Sequence, residues 1–349
     1  MAYTTIDKPT DYFNTKLYTG TRANQSITGV GHQPDLVWIK DRTNTNNHVW
    51  TDSVRGVEKV ILSNATNAET TYTDGLVAFT SDGFNLGDDD AGQMNVSGNA
   101  CVSWNWKASG STASNTDGSI TSTVSANTTA GFSIATFTCP SSGTAFDVGH
   151  GLGGKPDMMI MKTLTGGGGS WWTWHIGLGD NTTDYLSLNS TNAELTISGM
   201  WGTVGAGTST FGYTAGTSAA SDQNIVAYFF KSIKSYSKFG TYIGNGNADG
   251  TFVYTGFKPA FVITRRTDTT ENWAIFDNKR DGFNVNNRIL LANVTDAENT
   301  SATYLDLLSN GFKTRATSGA VNASGGTYIY MAFAEYPFVT SSGIPTTAR

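Results

Sequence analysis

The feature of this sequence that most constrains its fold is an internal repeat. Three segments share a glycine, a proline and an apolar run closed by a base: GHQPDLVWIK at 31–40, GGKPDMMIMK at 153–162 and GFKPAFVITR at 256–265. Proline cannot donate to a sheet ladder, so Pro34, Pro156 and Pro259 are expected where a loop enters a strand. Similarity that recurs at such a spacing indicates one structural unit repeated along the chain.

The repeated units have the sequence character of β-sandwiches. Each copy ends on an apolar strand, and these closing strands read ACVSWNWKAS at 100–109, NIVAYFFKSI at 224–233 and TYIYMAFAEY at 327–336. Only 14% of residues are charged while 40 are glycine, a composition that favours short strands joined by tight turns. We therefore predict an all-β chain of three tandem sandwiches of the jelly-roll or concanavalin-like kind, about 100 residues each.

The boundaries of the three sandwiches follow from composition. Residues 108–117 are poor in apolar side chains and are predicted to be a Ser/Thr/Gly linker. The predicted organisation is a first sandwich at 1–107, a second at 118–233 and a third at 234–349.

A second signature, N-x-T-[N/D]-A-E, follows in each copy at 64–69, 189–194 and 293–298. In each copy a threonine stands three residues before a glutamate, which is the spacing of a helix capping box. We therefore interpret the pairs as structural caps of one helical turn, not as a binding site. The pairs are Thr66 with Glu69, Thr191 with Glu194, and Thr295 with Glu298.

The sequence contains no pattern that predicts catalysis. Glycoside hydrolysis needs two positioned carboxylates, and no E-x-D-x-E pattern of the kind that concanavalin-like hydrolases use occurs at Glu58, Glu271 or Glu335. The four histidines have no zinc spacing, and neither a nucleophile elbow nor a phosphate-binding loop occurs. We expect no enzymatic activity and no cofactor.

Two segments are candidates for binding. Asp88, Asp89 and Asp90 could supply oxygen ligands to Ca²⁺, although the matching loops of the other copies lack the acids. Trp171 and Trp172 follow a glycine-rich tip and, if exposed, could stack on a sugar ring or dock to a partner protein.

Charge and hydropathy exclude several classes of partner. A net charge of −6 and a pI near 5.2 argue against a nucleic-acid-binding surface. No apolar run approaches the length of a membrane span, and the first residues lack the character of a signal peptide. Synthesis in a cytoplasm is therefore expected. Two cysteines, Cys101 and Cys139, are too few for a disulfide scaffold, and both are expected to be buried thiols.

The motif series as a whole resembles repeats in structural proteins of marine tailed phages, which are often described as tail-fibre-like or virion surface proteins. The resemblance runs from GHQPDLVWIKDR and WTDSVRG through SNATNAE and WNWKAS to the terminal YIYMAFAEYPF. The second copy departs from it, because GSWWTWHIGLG replaces the segment that carries Asp52 and Arg55.

The resemblance implies a virion component, made in the host cytoplasm, whose partners are other virion proteins and further copies of itself. A tail-fibre or receptor-binding role and a capsid-decorating role both remain open. The alternative is a glycan-binding module that recognises a host surface polysaccharide.

Overall fold

The structure, a computed structural model, describes residues 3–203 and 205–346. These residues form 27 strands and, as their single helical element, a 3₁₀ turn at Pro9–Asp11. The strands make three larger sheets and three smaller ones, and every pairing between named strands is antiparallel. The predicted all-β sandwich class is confirmed. Whether the three copies are separable domains stays a prediction.

Each larger sheet lies with one smaller sheet from the same stretch of chain, and we call each such set a sheet pair. The first sheet pair contains β1 (Phe13–Thr19), β2 (Gln25–Thr28), β3 (Leu36–Asp41), β4 (His48–Asp52), β5 (Lys59–Leu62), β6 (Thr70–Thr71), β7 (Leu76–Thr80), β8 (Gly83–Leu86) and β9 (Ala100–Trp106).

The second sheet pair contains β10 (Ala113–Asn115), β11 (Ser122–Asn127), β12 (Phe132–Thr138), β13 (Ala145–Gly149), β14 (Met158–Thr163), β15 (Trp172–His175), β16 (Asp184–Ser187), β17 (Leu195–Thr196), β18 (Thr210–Thr214) and β19 (Asn224–Phe230). The third contains β20 (Ser237–Ile243), β21 (Phe252–Tyr254), β22 (Phe257–Arg266), β23 (Ala274–Asp277), β24 (Leu290–Leu291), β25 (Leu305–Leu308), β26 (Gly311–Thr314) and β27 (Thr327–Pro337).

The three larger sheets share one strand order. The first reads β1-β9-β3-β4-β5-β6, the third reads β20-β27-β22-β23-β24, and the second contains the same series as β12-β19-β14-β15-β16-β17. The smaller sheets are β2-β8-β7, β13-β18 and β21-β26-β25. In each pair, two nested strand pairs lie on opposite sheets, as in a jelly roll, and the chain forms the meander of the larger sheet between their first and second strands.

Each larger sheet is buried on both faces, and this explains why its central strands are continuous apolar runs. Along β3, Val37 and Ile39 face the smaller sheet and pack with Phe84. The alternate residues, Leu36 and Trp38, belong to a core to which all three larger sheets contribute. The three sandwiches therefore pack together by the outer faces of their larger sheets.

Three aromatic side chains in equivalent positions meet at the centre of this common core. Trp106, Phe230 and Phe333 lie opposite the residue two positions after the repeated proline, which is Leu36, Met158 and Phe261 respectively. Their ring centroids are separated by 6.3 Å (Trp106 to Phe230), 6.2 Å (Phe230 to Phe333) and 5.8 Å (Phe333 to Trp106). This near-equilateral triangle indicates that the three sheet pairs surround a pseudo-three-fold axis.

Two local expectations need correction. Pro34 and Pro156 do precede β3 and β14, but Pro259 lies within β22, where the register shifts at a bulge. The predicted linker at 108–117 includes β10, which pairs with β11 and extends the second larger sheet beyond β12. A segment poor in apolar residues can form such an edge strand, because an edge strand forms backbone hydrogen bonds with only one neighbouring strand.

Candidate functional site: the junctions between sheet pairs

The three N-x-T-[N/D]-A-E segments lie at the junctions between sheet pairs. They are irregular loops without a helical turn, so the capping-box prediction was wrong for all three threonine–glutamate pairs. Instead, each glutamate donates its backbone N–H to a carbonyl of the next sheet pair. Glu69 donates to Leu164 O (3.0 Å), Glu194 to Thr267 O (2.8 Å) and Glu298 to Arg42 O (2.9 Å). The series runs first to second, second to third and third back to first, so the ring is closed.

Each of these loops also accepts a hydrogen bond from a buried cationic side chain of the next sheet pair. The base that ends the repeated apolar run donates to a carbonyl of the neighbouring loop: Lys162 to Thr66 (2.8 Å), Lys40 to Thr295 (3.0 Å) and Arg265 to Asn192. Burial lowers the pKa of both lysines to about 8 and that of Arg265 to about 10. These bases are therefore structural parts of the junctions, which explains their recurrence in the repeat.

A further contact recurs where β15 and β23 begin, the strands equivalent to β4 of the first sheet pair. Trp171 Nε1 donates to Leu62 O (2.8 Å) and Trp273 Nε1 donates to Ser187 O (3.0 Å) of the preceding sheet pair. In the first sheet pair the equivalent residue is His48, whose pKa burial lowers well below its usual value. Ser63 then donates to Ala292 O (2.9 Å) across the junction between the first and third sheet pairs.

The placement of Trp171 answers the prediction of an exposed tryptophan. Trp171 is fully buried in the junction between the first and second sheet pairs and cannot stack on a sugar there. Trp172 is half-buried and packs edge-on against Tyr185, with centroids 5.1 Å apart. Its partner-contact role stays a prediction. The glycine tip before these residues is also docked, because Gly169 N donates to Thr66 O (2.8 Å).

The three glutamate carboxylates occupy equivalent positions but have different partners. Glu298 pairs with Arg42 (2.7 Å), Arg280 (3.1 Å) and Arg288 (3.0 Å). Burial alone would raise the pKa of Glu298, but its arginines, with Arg42 foremost, hold that pKa below its ordinary value. The junction between the third and first sheet pairs is therefore held by charge.

The other two glutamates have fewer cationic partners. Glu69 pairs with Arg55 alone (3.0 Å). Glu194 has no arginine or lysine partner among the described residues and accepts from Gly179 N (2.8 Å). Burial, and then the neighbouring Asp184, raise the pKa of Glu194.

Two buried ion pairs also reach across junctions. Asp52 pairs with Arg55 (2.5 Å) and accepts from Tyr228 Oη of the second sheet pair (2.7 Å). Asp277 pairs with Arg280 (2.6 Å) and accepts from Trp104 Nε1 of the first (3.1 Å). A buried carboxylate is retained only when it is paired and hydrogen-bonded, and each of these is.

The second sheet pair carries a neutral substitute at this position. His175 stands where Asp52 and Asp277 stand, and its Nε2 lies 3.1 Å from the Tyr330 carbonyl of the third sheet pair. Its Nδ1 accepts from Gly177 N, so Nε2 carries the proton. Burial lowers the pKa of His175 to about 4. The departure noted in the sequence therefore replaces an ion pair with a neutral hydrogen bond.

The structure does not bring the three carboxylates of the candidate calcium loop together. Asp89 is buried and accepts from Met94 N and Asn95 N (both 2.7 Å), while Asp88 and Asp90 are exposed. Among residues 3–203 and 205–346, no group of three His, Cys, Asp or Glu side chains could hold a metal ion. Both cysteines are buried free thiols, as expected.

Sequence reasoning missed the residues that recognise the loops. Arg42 carries no local signal, because its partner Glu298 is more than 250 positions away and only the closed ring brings the two together, whereas Arg288 lies 10 positions from Glu298 in the same sheet pair. The repeated base at Lys40, Lys162 and Arg265 was visible in the alignment of copies. It was the available signal that these positions share a role.

The comparison with known families covers this whole arrangement. Residues 8–337 match a domain of unknown function, DUF7483. The chain belongs to the DUF7483 family. No curated protein and no solved structure matches it. The DUF7483 match begins at the 3₁₀ turn and ends with β27, so the family domain takes in all three sheet pairs and the junctions between them.

Within the described residues, no helix is long and apolar enough to cross a bilayer.

Proposed function

We propose that this DUF7483 protein is a structural component of a bacteriophage virion that acts through protein–protein contacts on the particle surface. The observation that carries the proposal is the closed ring of junctions around Trp106, Phe230 and Phe333. A single chain built this way presents a rigid pseudo-trimer, a shape suited to a three-fold-symmetric seat on a particle. The resemblance of its motifs to phage structural repeats points the same way.

The chemistry of the junctions supports a non-enzymatic role. Their carboxylates are paired with arginine or hydrogen-bonded to backbone N–H groups, and their histidines and lysines are buried. Catalysis needs a titratable group within reach of a substrate. These groups instead hold one sheet pair to the next.

The proposal is tested by locating the protein in particles. A phage that carries the gene with a short epitope tag would be grown, banded by density and analysed by mass spectrometry and electron cryomicroscopy. We expect the protein at a fixed stoichiometry on capsid or tail, where the image decides between decoration and attachment. Its absence from banded particles, while present in the lysate, would contradict the proposal.

A further inference from the structure

We infer that a cleft formed by the β19–β20 connection, the start of β20 and the end of β21 binds an acidic saccharide, a sugar ring that carries a carboxylate or a sulfate. The cleft has a volume of about 410 Å³. Two tyrosines, Tyr3 and Tyr254, and two lysines, Lys234 and Lys238, line it together with Ser235 and its neighbours. This volume is within the range of small-ligand sites. The inference concerns a site remote from Trp171 and does not depend on the proposed place in a virion.

The charge of the cleft selects an anion. Lys234 and Lys238 line it, and no carboxylate does. Neither lysine forms an ion pair with any of the described residues, on a chain whose net charge is −6. Burial lowers the pKa of Lys238, so a bound anion would relieve the cost of keeping that ammonium charged.

The aromatic walls suit a sugar ring. Lys234 Nζ lies 4.4 Å from the centroid of the Tyr3 ring, and Lys238 Nζ lies 5.2 Å from that of Tyr254. Tyr254 is 50% exposed although it belongs to a strand, so its ring is available to a ligand. Tyrosine presents an apolar face for the C–H groups of a sugar together with a polar edge. Each ring carries its lysine over one face, so the cleft combines aromatic surface with positive charge.

One residue that lines the cleft, Ser235, is strained. It is only 3% exposed, and its Oγ is buried without a hydrogen-bond partner among residues 3–203 and 205–346. Ser235 also has φ of +64°, a left-handed conformation that is uncommon for residues other than glycine. A buried hydroxyl left unpaired costs free energy, and backbone outliers cluster at ligand sites.

The test is titration calorimetry of the purified chain with D-glucuronic acid, D-glucose 6-sulfate and D-glucose. We expect the two acids to bind with a dissociation constant on the order of 0.1–1 mM and glucose to bind at least tenfold more weakly. Binding should weaken as salt is raised from 20 to 300 mM, because exposed charges are screened. The ratio of the two acid affinities distinguishes a carboxylate site from a sulfate site.

Matched variants decide whether this cleft is responsible. The double variant Lys234→Gln/Lys238→Gln should lose at least tenfold in affinity for the acids, and Tyr254→Ala should lose about as much. Lys59→Gln removes one charge from the first sheet pair and should change nothing. Unchanged melting temperatures show that the variants fold. Failure of both acids to bind, equal binding of glucose, or full affinity in the double lysine variant would overturn the inference.

Discussion

At the scale of single residues, one motif position has three environments. The residue whose carbonyl receives the glutamate N–H is Arg42, Leu164 or Thr267 at the three junctions. Arg42 adds a bidentate pair to Glu298, while Leu164 and Thr267 have no charge to add. The three junctions thus share one backbone hydrogen bond. The glutamate carboxylate has three arginine partners at Glu298, one at Glu69 and none among the described residues at Glu194.

The substitution Glu298→Gln should therefore destabilise the protein strongly. The guanidinium of buried Arg280 keeps its pair with Asp277 but loses the one with Glu298, and losing hydrogen bonds to a charged group costs about 1.5–3 kcal/mol. Urea unfolding at pH 7 measures the loss. The matched change Glu194→Gln should leave stability unchanged or slightly raised, because burial already disfavours its charge. Equal losses in both variants would contradict the assignment.

The pH dependence of these two carboxylates has opposite signs. The native pKa of Glu298 is lowered, so its contribution to stability is present above pH 4.5 and is lost as pH falls through that lower native pKa. The native pKa of Glu194 is raised, so its contribution is present below its unfolded value and is lost as pH rises through the raised pKa. Comparing each Gln variant with the parent between pH 3 and 7 should show the two differences changing in opposite directions.

A second prediction at this scale concerns buried tyrosine hydroxyls. Tyr228→Phe removes the hydrogen bond to Asp52 across a junction and should cost about 1.5–3 kcal/mol, since the acceptor is charged. Tyr213→Phe is the control, because the Tyr213 hydroxyl is buried without a hydrogen-bond partner in the part of the chain that the structure describes. That change should be neutral or stabilising. Denaturant titration of both variants checks the difference, and a Tyr228→Phe protein as stable as the control would refute the contact.

At the scale of elements, local patterns predicted what local physics determines. The proline-led runs gave β3, β14 and most of β22, and the closing aromatic runs gave β9, β19 and β27, because a strand buried on both faces must be apolar. The loops at 64–69, 189–194 and 293–298 were misread as caps because threonine–glutamate spacing is a local signal. Their true partners belong to another sheet pair, which no local pattern reveals.

The glycine tip at 165–170 provides a prediction for a loop. A Cβ at Gly168 would lie 2.1 Å from Thr66 O and 2.5 Å from Ala68 N, so Gly168→Ala should push the second sheet pair off the first. Gly167 has a similar φ, +97° against +83°, but nothing lies within 4 Å of its Cβ position. Both substitutions incur left-handed strain of about 1–2 kcal/mol, and Gly168→Ala should cost about 1–3 kcal/mol more. Thermal unfolding of both variants measures the excess, and no excess would mean that the tip is not docked.

At the scale of the whole molecule, the common core makes the sheet pairs interdependent. Trp38, Ile160 and Ile263 come from three different sheets and share one buried cluster, so no sheet pair can leave without exposing the other two. We expect a single calorimetric transition whose van't Hoff and calorimetric enthalpies agree. Glu298→Gln should lower that transition without splitting it. Separate transitions in the parent protein would show that the junctions do not couple the pairs.

A closed ring has no unique starting point, and this leads to a stricter test. Ser341 N donates to Asp7 Oδ1 (2.6 Å), so the two ends of the described chain lie together. New ends can be opened between Ser111 and Thr112, which are exposed. A permutant that runs through the second, third and first sheet pairs, with the old ends joined by a short Gly/Ser linker, should fold with a single transition and lose no more than about 2 kcal/mol, because each junction is rebuilt by the same residues.

A control permutant opened between Gly167 and Gly168 cuts the tip that docks on Thr66 and should be clearly less stable. If the first permutant is as unstable as the control, chain order and not ring closure holds the sheet pairs together.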